Sequence, residues 1–279
     1  MDGRPIGVFD SGLGGLTVVR ALIDLLPDEH LVYFGDTGRF PYGPKPREEV
    51  LKYAFQITEL LMGHDVKLVV VGCNSAAAAA LTELRGRYAV PLTGVIEPGL
   101  RAAAKATRTG RIGVIGTVGT IASGAYQRAA AHLVPGIELT CAACPGFVEF
   151  VEAGDVDSDQ VFVLAERLLA PVRAAGVDTL VLGCTHYPLL ARTIGDVMGR
   201  DVVLVSSGEE TAFEVAAVLD AVGARRLPEP GGPGGPGVSP GDTGARRRFL
   251  TSGDPATFRT LGARFLGPEV EAVEAWRWS

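Results

Sequence analysis

Short apolar runs alternate with longer amphipathic stretches along most of the chain. Ile6 to Phe9, Leu31 to Phe34, Lys67 to Val71 and Pro91 to Ile96 read as buried strands. Between them lie the run LTVVRALIDLL ended by Pro27, the stretch Arg47 to Met62 and an alanine-rich segment after Cys73, all with helical periodicity, and a further helix starts at Pro98. Buried strands interleaved with helices imply a mostly parallel sheet with helices on both faces, the α/β class. The pattern restarts at Arg111. Strands are expected at Ile112 to Val118, Ile137 to Cys141, Thr179 to Leu182 and Val202 to Val205, with helical stretches from Phe147 to Glu152, Gln160 to Ala175 and Glu209 to Val222.

Two echoes give the restart a meaning. The run beginning at Ile112 repeats the run beginning at Ile6 at an offset of 106, and the Gly-Cys ends at Cys73 and Cys184 are 111 positions apart. Offsets this close predict an internal duplication: two pseudo-symmetric α/β domains, about residues 1–97 plus 208–279 and about 98–207, with the active site in the cleft between them. Residues 228–244, PEPGGPGGPGVSPGDTG, are too poor in apolar side chains to offset ordering entropy and read as a mobile loop. The strand and helix that follow are too short to stand alone and are expected to pack back on the first half.

A chain of 279 residues, 47% hydrophobic, can bury one or two cores. Its formal charge of −6 argues against nucleic acid or an anionic membrane surface as the main partner. No apolar run approaches the roughly 20 residues of a membrane span, and the start lacks the features of a signal peptide, so a cytoplasmic protein is expected. There the four cysteines are not a disulfide framework. Only Cys141 and Cys144 have metal-type spacing, and a zinc site would need a second pair.

The chemistry gathers where strands end. In open parallel sheets ligands bind beyond the carboxyl ends of the strands, and Asp10, Ser11, Cys73, Asn74, Thr117, Cys184 and His186 all fall there. Two cysteines facing each other across a cleft suit removal of a proton from one face of a carbon and its return to the other. Each is read as directly preceding a helix, whose N-terminus would lower its pKa, with Asn74 or Ser75 capping the helix after Cys73. A lone cysteine at a strand end is more often a small buried hydrophobe, and that reading is kept for Cys141 and Cys144. His186 can carry protons to Cys184, and Asp10 can do so beside Cys73, although an Asx turn explains Asp10 equally well. The glycines after Asp10 lack the spacing of a dinucleotide or phosphate loop. Of the four lysines only Lys45 sits in a cleft loop where pyridoxal phosphate would need one, so a mechanism without a cofactor is the simpler reading.

At these residues the chain resembles the glutamate racemases of the aspartate/glutamate racemase family. The likeness runs through GVFDSGLGGLTV, YFGDTGRFPYGPK, VVVGCNSA, IGVIGT, FVEFVEAG and VLGCTHYPLL. It implies a cofactor-independent enzyme of two pseudo-symmetric domains that interconverts L- and D-glutamate and supplies D-glutamate for peptidoglycan and hence cell shape. It implies Cys73 and Cys184 as the acid/base thiols, Asp10 and His186 as their proton-handling neighbours, and Glu152 as the carboxylate orienting His186. The substrate-binding residues it implies are Asp10, Ser11, Tyr42, Gly43, Asn74, Ser75, Thr117, Thr185 and His186, with glutamate as the small-molecule partner and a homodimer as the expected assembly. The chain departs from the commonest family pattern at Pro145 to Glu149. The other readings are an aspartate or hydantoin racemase of the same superfamily, and a noncatalytic amino-acid-binding module that reuses the fold.

Overall fold

The computed structural model describes residues 2–226 and 244–278. In chain order the elements are β1 (Ile6–Asp10), α1 (Leu16–Leu25), β2 (Leu31–Gly35), α2 (Arg47–Met62), β3 (Leu68–Val71), α3 (Asn74–Arg87), β4 (Leu92–Gly94) and α4 (Ile96–Ala106). The pattern then repeats as β5 (Arg111–Gly116), α5 (Val118–Ala122), α6 (Ala125–Leu133), β6 (Glu138–Ala143), α7 (Phe147–Ala153), α8 (Asp159–Ala174), β7 (Thr179–Gly183), α9 (Ala191–Met198) and β8 (Val203–Ser206). Last come α10 (Ser207–Ala221), β9 (Arg247–Thr251), α11 (Pro255–Leu266) and β10 (Val273–Ala275). The loop expected at 228–244 lies, apart from Gly244, outside the described residues.

Two all-parallel sheets result, ordered β10-β9-β2-β1-β3-β4 and β6-β5-β7-β8. The four strands at one end of the first, β2-β1-β3-β4, have the same order as the whole of the second, so the echoed sequences occupy equivalent strands: β1 matches β5, and β3 matches β7. Leu68, Val69, Val70 and Val71 are fully buried, which is why β3 reads as an unbroken apolar run rather than an alternating one. Each such side chain contributes about 1.5–3 kcal/mol, and a charge at Val70 would break the strand's packing. α10 packs on both α1 and α4, and the first core continues onto Ile112, Val114, Val181 and Val205 of the second sheet. The other face of that sheet has its own core, including Val161, Leu169 and Val172 of α8. The two sheets are thereby fixed relative to each other.

Several expectations shift. α4 starts at Ile96 rather than Pro98, leaving Pro98 in the first turn, where a missing N–H has no partner to lose. β4 is correspondingly cut to Leu92–Gly94. β9 pairs with β2 and α11 packs on α1, so the C-terminal strand and helix join the first sheet's layer. β10 carries no readable apolar run and was not expected from the sequence.

Candidate active site

Asp10 ends β1, Cys73 follows β3 through Gly72, Thr117 follows β5 and Cys184 follows β7, so both pairs of central strands aim at one cleft. A cavity of about 90 Å³ lies there. Its wall includes Ser11, Tyr42, Gly43, Cys73, Asn74, Ser75, Thr117, Cys184, Thr185 and His186. Asp10 and Glu152 are the two expected residues that do not form the wall; each stands behind it.

Behind Cys73, the thiol bonds to the Ser11 hydroxyl at 3.6 Å, and Ser11 Oγ in turn lies 3.5 Å from Asp10 Oδ1. Asp10 is fully buried. Its Oδ1 accepts the Gly12 amide at 2.7 Å, an Asx turn, while Oδ2 accepts the Thr185 hydroxyl from the other half at 3.2 Å. The turn and the cross-cleft bond coexist, because the carboxylate has two oxygens to share. Burial raises the Asp10 carboxyl above the ordinary range, against the pull of the His186 charge, the Gly12 and Gly15 amides and Thr185.

The helix-lowered thiol expected from the sequence is not found at Cys73. Burial, reinforced by the Asp10 charge, pushes it up to about 12, outweighing the Ala76 and Ser11 groups that favour the thiolate. Cys73 itself occupies the cap position of α3. Neither Asn74 nor Ser75 serves as the cap: the Asn74 amide donates to Tyr126 at 3.0 Å, and Ser75 Oγ sits 2.9 Å from Thr117 and 3.2 Å from Thr120. Both side chains are drawn toward the second half.

Cys184 also departs from expectation. It precedes not an α-helix but a single 3₁₀ turn, Tyr187–Leu190, before α9. Its sulfur lies instead 3.9 Å from His186 Nδ1, and His186 Nε2 is 2.7 Å from Glu152 Oε1. Burial alone would lower the ring's pKa; the Cys184 and Glu152 bonds, with the charges of Cys184 and Asp10, raise it to about 10. Phe40 and Phe265 pack on the ring at 5.9 and 5.7 Å between centroids.

The glycine loop is explained by close approach. A Cβ on Gly14 would stand 2.3 Å from Thr185 Oγ1 and 2.5 Å from His186 Nδ1, and one on Gly43 would stand 2.8 Å from Thr117 Cβ. The Gly43 carbonyl accepts the Gly119 amide at 2.9 Å, so the loop carrying Tyr42 reaches across the cleft.

Sequence reasoning missed part of the wall. Cys144 is a buried strand-end thiol as expected, raised by burial and the Cys184 charge to about 12, yet it lines the cavity with Pro145, Gly146, Val148 and Glu149. Cys141 is half-buried in β6, and burial lifts it to about 11. Thr120 closes a hydroxyl triangle with Ser75 and Thr117, 3.0 Å from Thr117. Its position three residues into the turn after Thr117 was the available signal; for Tyr126 there was none.

Residues 6–213 match the Asp/Glu/hydantoin racemase family. A glutamate racemase of Parafrankia sp. (strain EAN1pec) is 53% identical over 273 residues, covering 98% of this chain and 94% of that relative. Among solved structures, a glutamate racemase isoform from Bacillus anthracis superposes with a TM-score of 0.89 at 39% identity, covering 100% of this chain and 98% of that one. The glutamate racemase of Francisella tularensis, solved in complex with D-glutamate, gives 0.87 at 31% identity, with 100% and 98% covered.

Proposed function

Because this chain belongs to the Asp/Glu/hydantoin racemase family, we propose that it interconverts L- and D-glutamate by moving the α-proton between Cys73 and Cys184. The observation that carries this reading is that both thiols, from equivalent strands of opposite halves, line one small cavity. One thiolate removes the α-proton while the thiol opposite donates to the other face, and the roles exchange when the other enantiomer enters. A single base returning its proton to the same face would only regenerate the starting enantiomer.

The substrate's place follows from the wall. A carboxylate is favoured at the N-terminus of α3, beside Asn74 and Ser75, where the helix end also stabilises negative charge developing as the α-proton leaves. Asn74 Oδ1 is buried without a partner and is the acceptor an α-ammonium would satisfy. Tyr42, Gly43 and the Ser75–Thr117–Thr120 hydroxyls are assigned to the second carboxylate, with Ser11, Thr185 and His186 near the reacting carbon. Asp10, reaching Cys73 through Ser11, and Glu152-held His186 at Cys184 manage the two thiol protons. No step in this scheme needs a cofactor.

The product D-glutamate is assigned to peptidoglycan synthesis, and the protein to the cytoplasm as a homodimer; no helix among the described residues is long and apolar enough to cross a membrane. The two lobes are taken as about 1–97 plus 208–279 and 98–207. Racemisation assays with L-glutamate and L-aspartate in parallel test the substrate. In deuterated water, label should enter the product enantiomer first and the recovered substrate more slowly. Preference for aspartate would refute the substrate, and equal early labelling of both enantiomers would refute the two-base scheme.

A further inference from the structure

We propose that Trp278, remote from the cavity wall, is a positioning residue for substrate binding: acting through the buried Asp36 carboxylate, it holds the strap of residues 40–44 that closes the cleft. The proposal rests on the reading of this cavity as the glutamate site.

Asp36 directly follows β2 and is fully buried. Its two oxygens face different parts of the chain. Oδ1 accepts the Ser252 hydroxyl at 2.6 Å and the Trp278 indole N–H at 3.2 Å; Oδ2 accepts Arg39 Nε–H at 2.7 Å and the Tyr42 hydroxyl. One carboxylate therefore ties the segment after β10 to the strap. Arg39 adds a second tie, with its guanidinium carbon 4.0 Å from the Trp278 ring centre and 3.9 Å from that of Tyr53, and Nη1 donating to Gln56 at 2.6 Å.

From this hub the strap runs to the cavity. Tyr42 packs on Tyr53 at 5.6 Å and lines the site, and the Gly43 carbonyl meets the Gly119 amide of the second half. One end of the strap is fixed at Asp36 and the other crosses the cleft. Trp278 is in turn seated by an edge contact with Phe34 at 5.4 Å and by the Trp276 amide bonding the Thr251 carbonyl at 2.7 Å. Removing the indole takes an N–H from a buried carboxylate and one face from the guanidinium. Both losses loosen Tyr42 and Gly43 without altering any group that would touch the reacting carbon, so they act on substrate binding rather than on proton transfer.

The test uses the full chain. Wild-type racemisation of glutamate is measured first; its absence removes the glutamate-site reading and this proposal's premise with it. With racemisation present, Trp278→Ala should raise KM for both enantiomers by about tenfold with kcat within about threefold, and Trp278→Phe, which keeps a ring over Arg39 but loses the N–H to Asp36, should recover only part of the loss. Melting temperatures of both variants report their folding separately. The chain has two tryptophans, so a Trp276→Phe background leaves Trp278 as the sole indole. Glutamate should change its fluorescence and saturate near KM. Unchanged KM in Trp278→Ala overturns the proposal, as does a loss confined to kcat. If Trp278→Ala fails to fold, the Trp278→Phe kinetics and the fluorescence titration decide, and a silent indole at saturating glutamate overturns it.

Discussion

Cys73 and Cys184 leave equivalent strands of two sheets with the same strand order, yet their surroundings differ in kind. Cys73 begins a long helix and reaches a fully buried carboxylate through one hydroxyl. Cys184 sits on a short turn beside an imidazole, and the carboxylate behind that ring keeps 21% of its side-chain surface exposed. A shared strand order thus places two thiols but does not fix their electrostatics. The first half surrounds its sulfur with groups that disfavour charge, and the second supplies a ring held cationic up to about pH 10. The halves nevertheless share groups: Thr185 donates to Asp10, and the charges of Asp10 and His186 each act on the other.

The strongest way to break the comparison is to remove one sulfur. Cys73→Ser and Cys184→Ser should each reduce turnover by about 10²–10⁴-fold or more, because a hydroxyl is too weak an acid to replace either thiol at neutral pH. Wild-type turnover in either variant would show that the halves are not a working pair.

Replacing the two auxiliary groups sharpens the comparison. Enantiomers have equal free energies, so kcat/KM must remain equal in the two directions for any variant; Asp10→Asn and His186→Asn should lower it about 10–100-fold. The two substitutions should differ instead in the α-deuterium isotope effect, rising for one enantiomer in Asp10→Asn and for the other in His186→Asn. A rise for the same enantiomer in both would merge the two relays into one.

The electrostatic contrast predicts a pH dependence. The folded His186 pKa of about 10 lies above the ordinary 6.5, so its charge contributes stability that is fully present below about 6.5 and lost as pH rises through 10. Cys73, raised from 9.0 to about 12, stabilises the fold below 9 and loses that contribution toward 12. Melting temperatures between about pH 6 and 11 should therefore fall in the wild type, complete the part of the fall due to the ring at a lower pH in Glu152→Gln, and fall less in His186→Asn. Parallel curves for all three would mean that the ring carries no such charge.

Smaller effects separate the walls. Gly14→Ala and Gly43→Ala should each cost about 1–3 kcal/mol by overpacking, measured by denaturant unfolding. The first should lower kcat by displacing His186, and the second should raise KM by displacing Thr117. Cys141→Ala, at a half-buried position off the cavity, should change stability by under about 1 kcal/mol and leave both kinetic constants alone. A large kinetic effect there would place Cys141 nearer the chemistry than its strand does.

What could be read in the chain was what local order imposes. Buried parallel strands must be nearly continuous apolar runs, so β1, β3, β5 and β7 announced themselves, and the polar residues at their ends named the cleft before any packing was known. The echo of one half in the other announced two similar α/β halves, and only the structure gave their common strand order. What could not be read was which group each polar side chain would face. Asn74 and Ser75 look like helix caps by position, and only the approach of Tyr126, Thr117 and Thr120 draws them away. Cys73 looks like a lowered thiol until burial and the Asp10 charge outweigh the helix end. Tertiary structure also decided the tie of Trp278 to Asp36, across 242 positions, and the seat of Cys144 in the cavity wall. The physical reason is the same in each case: strand and helix formation depend on neighbours along the chain, whereas desolvation, charge and hydrogen-bond partnership depend on atoms brought close by folding, and those terms set the chemistry of the site.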